Sequence, residues 1–189
     1  MMKKSYQRRH LRAPLREGLL YADGSYVLKA STLNISEGGI LVNHLPSFPE
    51  GPRISLMVSI PHMPALKNFN LLKMQTFSKD LFSRRVVRAT VELIRREELS
   101  QNLDNIFRSR FGLKFLDIDP QDLKVVEDYV QTFSSNLIFL QTLIDSYNTD
   151  EDTKVRTRAL AGILGYAENE KISQLHSAVT KDYKSLQWL

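Results

Sequence analysis

The sequence contains no cysteine, which removes disulfide scaffolds, thiolate zinc sites and cysteine nucleophiles together and fits a reducing compartment. It has no uninterrupted apolar run of the ~18 residues that a membrane-spanning helix needs. The basic start from Met1 to His10 is not followed by the apolar core of a signal peptide, so a cytoplasmic location is the expectation. The four histidines, His10, His44, His62 and His176, lack metal-ligand spacing. A Gly-x-Ser-x-Gly elbow, a phosphate loop and a paired-carboxylate constellation are missing as well. These absences point away from an enzyme and away from a resident metal or cofactor.

What is present is the balance of a globular chain: 189 residues, 42% hydrophobic and 25% charged. This length supports one domain with a large extension, or two small domains. The net charge of +5 is unevenly placed. Lys3, Lys4, Arg8, Arg9, Arg12 and Arg16 all precede the first acid, Glu17, and a second cluster contains Arg84, Arg85, Arg88, Arg95 and Arg96. An anionic ligand is the simplest partner for such patches, and a solvated basic tail is the bland alternative.

From Leu15 to about Phe115, short apolar segments alternate with turn residues, the pattern of strands in a barrel or sandwich. Leu19 to Tyr21 and Tyr26 to Leu28 flank Ala22-Asp23-Gly24-Ser25, where Asp-Gly supplies the positive φ of a tight hairpin. Gly39 to Val42, Ile54 to Ile60, Val86 to Ile94 and Phe111 to Phe115 complete six strand candidates. Between Pro61 and Ser83 the prolines favour a loop, with Phe69 to Met74 as a short strand or helix. The pattern changes at Asp119-Pro120, a helix cap followed by a first-turn proline. Leu123, Val126, Val130, Phe133, Leu137, Leu140, Ile144 and Tyr147 then recur in an unbroken heptad register, which predicts one long helix over about 121–147. Its seam is suited to burial within the chain or against a second copy. An acidic break at 148–152 and two amphipathic stretches predict two shorter helices before the end. The expected division is a β-barrel with an N-terminal arm over 1–119 and a helical extension over 120–189, an α+β chain.

Two short motifs remain. Arg8-Arg9-His10-Leu11-Arg12 contains Arg-x-x-x-Arg ahead of the first strand candidate, and Asn34-Ile35-Ser36-Glu37-Gly38-Gly39 fits Asp/Asn-x-Ser-x-x-Gly between the second and third. Each is unspecific alone. In this order and placement the sequence resembles the PilZ family from about Tyr6 to Phe133, with Gly112-Leu113-Lys114-Phe115 similar to the family's last strand. Asn34 stands where aspartate is the other accepted residue, and the segments 61–83 and 97–110 are longer than is usual.

The resemblance implies a six-stranded antiparallel barrel and a non-catalytic receptor for cyclic di-GMP. It implies ligand contacts from Arg8, Arg9, Arg12, Asn34, Ser36, Gly38 and Gly39. The chemistry of the residues agrees with that ligand. Arginine's planar fork donates two bonds to a guanine edge, pairs with phosphate and stacks on a base. Asn34 offers an amide, Ser36 a hydroxyl, and Gly38 and Gly39 a close backbone approach. A receptor without catalytic residues acts through contacts, so an unidentified protein partner is expected, with a homo-oligomer through helix 121–147 as an arrangement that can coexist with packing of the seam within the chain. The alternatives are a degenerate scaffold of the same family that only binds proteins, and a basic nucleic-acid binder using both arginine clusters.

Overall fold

The computed structural model describes residues 10–43, 45, 49, 51–97, 110–148, 150–167 and 171–186. Seven strands, β1 (Ala13–Pro14), β2 (Gly18–Asp23), β3 (Tyr26–Ser36), β4 (Gly39–Asn43), β5 (Arg53–Pro61), β6 (Arg84–Glu97) and β7 (Arg110–Ile118), form one antiparallel sheet. The sheet closes because β3 is long enough to serve two neighbours. Its first half, Tyr26 to Ser31, pairs with β2, and its second half, Ser31 to Ser36, pairs with β4. With β2 on β5, β5 on β6, β6 on β7 and β7 on β4, the six strands β2 to β7 make the expected six-stranded antiparallel barrel. Closure gives each of these six strands two neighbours.

Alternation decides which side chains fill the barrel. In β5, Ile54, Leu56, Val58 and Ile60 are buried while Arg53, Ser55 and Met57 face out, the period of two that a half-buried strand requires. Leu19, Tyr21, Ile35, Val42, Val87, Val91 and Leu113 join them at 2% exposure or less, which makes a packed core. Gly24, at φ 56°, turns β2 into β3 as the Asp-Gly pair predicts.

The chain divides into two compact units, one of residues 10–62 and 84–130 and the other containing 63–83 and 131–186. The first holds the barrel and the beginning of α2 (Pro120–Asp145). The second holds the rest of α2, α1 (Leu71–Thr76), α3 (Glu151–Ile163) and α4 (Ile172–Leu186). Asp119 accepts a hydrogen bond from the Gln121 amide at 2.7 Å and so starts α2 as a cap, next to Pro120 in the first turn. Of its heptad positions, Val126, Val130, Phe133, Leu137, Leu140 and Ile144 are buried within the single chain.

The segment after Pro61 is where the pattern was least readable. It contains a 3-10 turn at Leu66–Asn68 and the short helix α1, whose Asn70 cap accepts from the Lys73 amide at 2.8 Å. Phe77 packs against Phe69 and Phe82 with ring centroids 5.1 and 5.6 Å away. The anchor is Asn136 of α2, a polar residue at 1% exposure inside an apolar stripe. Its amide oxygen accepts from the Leu66 N–H and its nitrogen donates to the Pro64 carbonyl, each at 2.9 Å. Asn136→Ala strands both backbone groups without partners, and each such group costs about 1–3 kcal/mol. Chemical denaturation is expected to show a loss of ~3 kcal/mol, with faster hydrogen exchange at the Leu66 amide.

The remaining helices end by local rules. Asp150 caps α3 by accepting from the Thr153 amide at 2.7 Å. At its other end Gly165 takes φ 86°, with Gly165 N–H donating to Gly162 O and Tyr166 N–H to Ala161 O, the double closure typical of a glycine-terminated helix. The Tyr166 hydroxyl then donates to Asp182 at 2.8 Å, tying α3 to α4. Among the described residues no helix is long and apolar enough to cross a membrane.

Candidate functional site

The barrel brings the described part of the first motif, His10 to Arg12, beside the second. Residues 10–17 run back along the second half of β3, and β1 pairs Ala13 with Ile35 and Pro14 with Asn34. A bulge in β3 between Thr32 and Asn34 takes Leu33 out of register with β4. The Leu33 carbonyl accepts from the Leu15 amide at 3.1 Å, so the irregularity supplies an acceptor for the arm. Thr32, 2% exposed, completes the clamp. Its hydroxyl lies 2.6 Å from the Leu15 carbonyl and 2.9 Å from that of Glu17, as donor, and accepts from the Glu17 amide at 2.9 Å.

At the far end of the arm, His10 Nδ1 donates to the Glu37 carboxylate at 2.9 Å. The imidazole also lies over Gly38, where an added Cβ would come within 3.2 Å of the ring. His10 is inside the arginine motif and Glu37 inside the turn motif, so their contact joins the two motifs directly. Both occupy variable positions of their patterns, and only a knowledge of the strand pairing reveals the contact.

The turn itself is tightly built. Ser36 is buried and its hydroxyl donates to the Gly39 carbonyl at 3.2 Å, closing the loop between β3 and β4. Gly39 has φ 155°, and a Cβ there would stand 2.2 Å from the Leu113 carbonyl oxygen of β7. The Phe115 amide donates to the Gly38 carbonyl at 3.2 Å, seating the turn on that strand. Asn34 is half-buried and its side chain makes no hydrogen bond among the described residues. Arg12 is half-buried one residue ahead of β1. Lys114, exposed and in register with Gly39, adds a cation beside the turn. Arg8 and Arg9 lie outside the described residues.

The helix α2 reaches the same arm. Tyr129, 6% exposed, donates its hydroxyl to the Pro14 carbonyl at 2.6 Å. Burial, with the Glu17 carboxylate adding to it and Arg16 opposing, pushes this phenol above its ordinary pKa. It therefore remains a hydrogen-bond donor at any ordinary pH. Nothing local in the sequence marks Tyr129 for this contact, because a partner 115 positions away leaves no periodic signal.

The second basic cluster is partly neutralised. Arg84 pairs with Glu17 at 2.7 Å, and Arg85 lies 3.8 Å from Asp122 and donates to Gln121 at 3.3 Å. Arg88 lines a cleft of about 670 Å³ on the barrel with Leu20, Met57 and Asp117, and none of the described motif residues borders it. Among the described residues no three His, Asp or Glu side chains gather as a metal site.

The model of the PilZ domain matches residues 6–132. The chain belongs to the PilZ family, a family of cyclic di-GMP receptors. Its PilZ domain thus covers the arm, the whole barrel and the first half of α2. No curated protein matches the chain by sequence. Among solved structures it is similar to the inhibitor of motility MotI/DgrA of Bacillus subtilis, with 17% identity and a TM-score of 0.48 over 69% of this chain and 52% of that one. The chain therefore spans about half the length of that protein. The PilZ domain of Escherichia coli YcgR, solved with cyclic di-GMP, matches at 16% identity and a TM-score of 0.41, over 67% of this chain and 90% of that one. The PilZ domain of CeSA from a cellulose-synthesizing bacterium matches at 14% identity and a TM-score of 0.36, over 64% of this chain and 94% of that one.

Proposed function

We propose that this PilZ protein is a non-catalytic, cytoplasmic receptor that binds cyclic di-GMP between its N-terminal arm and the Asn34 to Gly39 turn. It passes the signal to a protein partner through altered contacts of the arm and helices. Arg8 and Arg12 bind phosphate and guanine, Arg9 adds a neighbouring cation, and Asn34 presents its amide to a base edge. Gly38 and Gly39 keep the backbone open to the ligand, and Ser36 holds the turn in shape while offering its hydroxyl. The observation that carries this reading is the pairing of Ala13 with Ile35 and Pro14 with Asn34, which supports an arginine arm lying beside the turn.

Charge-assisted bonds to phosphate and bidentate bonds to guanine are each stronger than neutral ones, so selectivity for the cyclic dinucleotide is the expected property. Titration calorimetry with cyclic di-GMP, run beside GTP and cyclic GMP, is expected to give saturable binding to the first alone. Equal, strongly salt-dependent binding of polynucleotides would instead favour a nucleic-acid binder.

A further inference from the structure

We propose that Tyr129 is a positioning residue that couples the ligand arm to helix α2, an inference that rests on the receptor reading above. Pro14 stands at the centre of the argument. It follows Arg12 by two residues, and in β1 it is in register with Asn34 of the turn motif. Proline has no N–H, so its carbonyl is the one backbone group with which it can hold a hydrogen bond. That carbonyl accepts from the Tyr129 hydroxyl at 2.6 Å. One residue is thus tied to the arginine motif by the chain, to the second motif by the ladder, and to α2 by a buried phenol.

The phenol suits this task. Its ring is 6% exposed and therefore held by packing, so the hydroxyl reports the position of the helix at Tyr129. Burial and Glu17 keep it protonated. From Tyr129 the helix runs without interruption to Asp145. Arm and helix consequently share one hydrogen bond whose geometry depends on both. A ligand that draws Arg12 toward its phosphates shifts Pro14, and the helix either follows or loses its bond. By linkage, whatever free energy the ligand exerts on α2 through this contact is exerted in return on ligand affinity.

The test uses the full chain. Tyr129→Phe keeps the ring and its packing and removes only the hydroxyl. Tyr166→Phe is the matched control, since it also removes one part-buried phenol bond, that to Asp182. Calorimetry with cyclic di-GMP is combined with hydrogen exchange over residues 131–145 with and without ligand. Wild type is expected to bind and to change its exchange in α2. Tyr129→Phe is expected to bind about tenfold more weakly, the loss of one hydrogen bond's net worth, and to show no ligand-dependent change in α2. Tyr166→Phe is expected to retain wild-type affinity. Wild-type binding with an unaltered Tyr129→Phe, in both affinity and exchange, would overturn the coupling alone. An equal loss of affinity in Tyr166→Phe would overturn it too, by showing that any destabilising phenol loss suffices. Absence of binding by wild type would overturn the receptor reading and the coupling with it.

Discussion

Gly39→Ala is expected to lower the midpoint of thermal unfolding by ~10 °C and to weaken ligand binding with it. Two independent effects add at this position. The backbone has φ 155°, which a side chain rarely adopts, and the new Cβ would sit 2.2 Å from the Leu113 carbonyl oxygen and 3.1 Å from the Lys114 Cα. The obstructing atoms are backbone, so no rotamer change relieves the contact. Backbone strain and overpacking each cost roughly 1–3 kcal/mol, and a loss of a few kcal/mol lowers the midpoint of a chain of this length by about 10 °C. The alternative to strain is separation of β4 from β7, which would open the barrel at the turn that carries Asn34 and Ser36. Gly38→Ala is the informative comparison. There the Cβ meets only the His10 ring, at 3.2 Å, a movable side chain. That variant is expected to unfold within a few degrees of wild type. Differential scanning calorimetry of the two variants decides the matter, and a Gly39→Ala protein as stable as wild type would refute the close approach.

The double change Arg8→Ala with Arg12→Ala is expected to weaken cyclic di-GMP binding by at least about a hundredfold while the barrel stays folded. A hydrogen bond to a charged group is worth about 1.5–3 kcal/mol, and two arginines remove at least two such bonds along with the attraction for the phosphates. Arg12 is half-buried just ahead of β1, where Thr32 and Leu33 hold the following residues, so its guanidinium starts from a fixed base. The single change Arg12→Lys separates charge from geometry. Lysine keeps the attraction and loses the planar fork, and an affinity reduced by roughly tenfold would assign a bidentate role to Arg12. Far-ultraviolet circular dichroism and the melting midpoint check that the fold survives. Binding retained in the double variant would remove the arginine arm from the site and leave the turn and Lys114 as the candidates.

Fold and site were unequally legible in the sequence, for reasons visible in particular residues. The strands of β2, β5 and β7 could be read because each buries every second side chain, and α2 because its apolar residues follow a heptad. Helix α1 was ambiguous because six residues hold fewer than two helical turns of pattern, and its Asn70 cap carries the decision. Asn136 carries no local signal, because a polar residue in an apolar stripe looks like an interruption until its partners, Pro64 and Leu66, are known. In the site, the arginine and Asn-x-Ser-x-x-Gly motifs were visible as residue types at fixed spacing. The contacts that assemble them, His10 with Glu37, Thr32 with Leu15 and Glu17, and Tyr129 with Pro14, join positions 15 to 115 residues apart. Such pairs leave no periodicity.

The sequence by itself determined the strands of the barrel and the helices after it, because alternation, turn chemistry and heptad spacing are local properties that each segment carries along the chain, and its two motifs carried the resemblance to the family. Only the tertiary structure decided that the arm lies beside the turn, that Gly39 must be glycine because of a carbonyl on β7, and that α2 holds the arm through Tyr129. These depend on which strand pairs with which and in what register. A shift of one residue would turn every side chain to the opposite face and separate the residues that now meet.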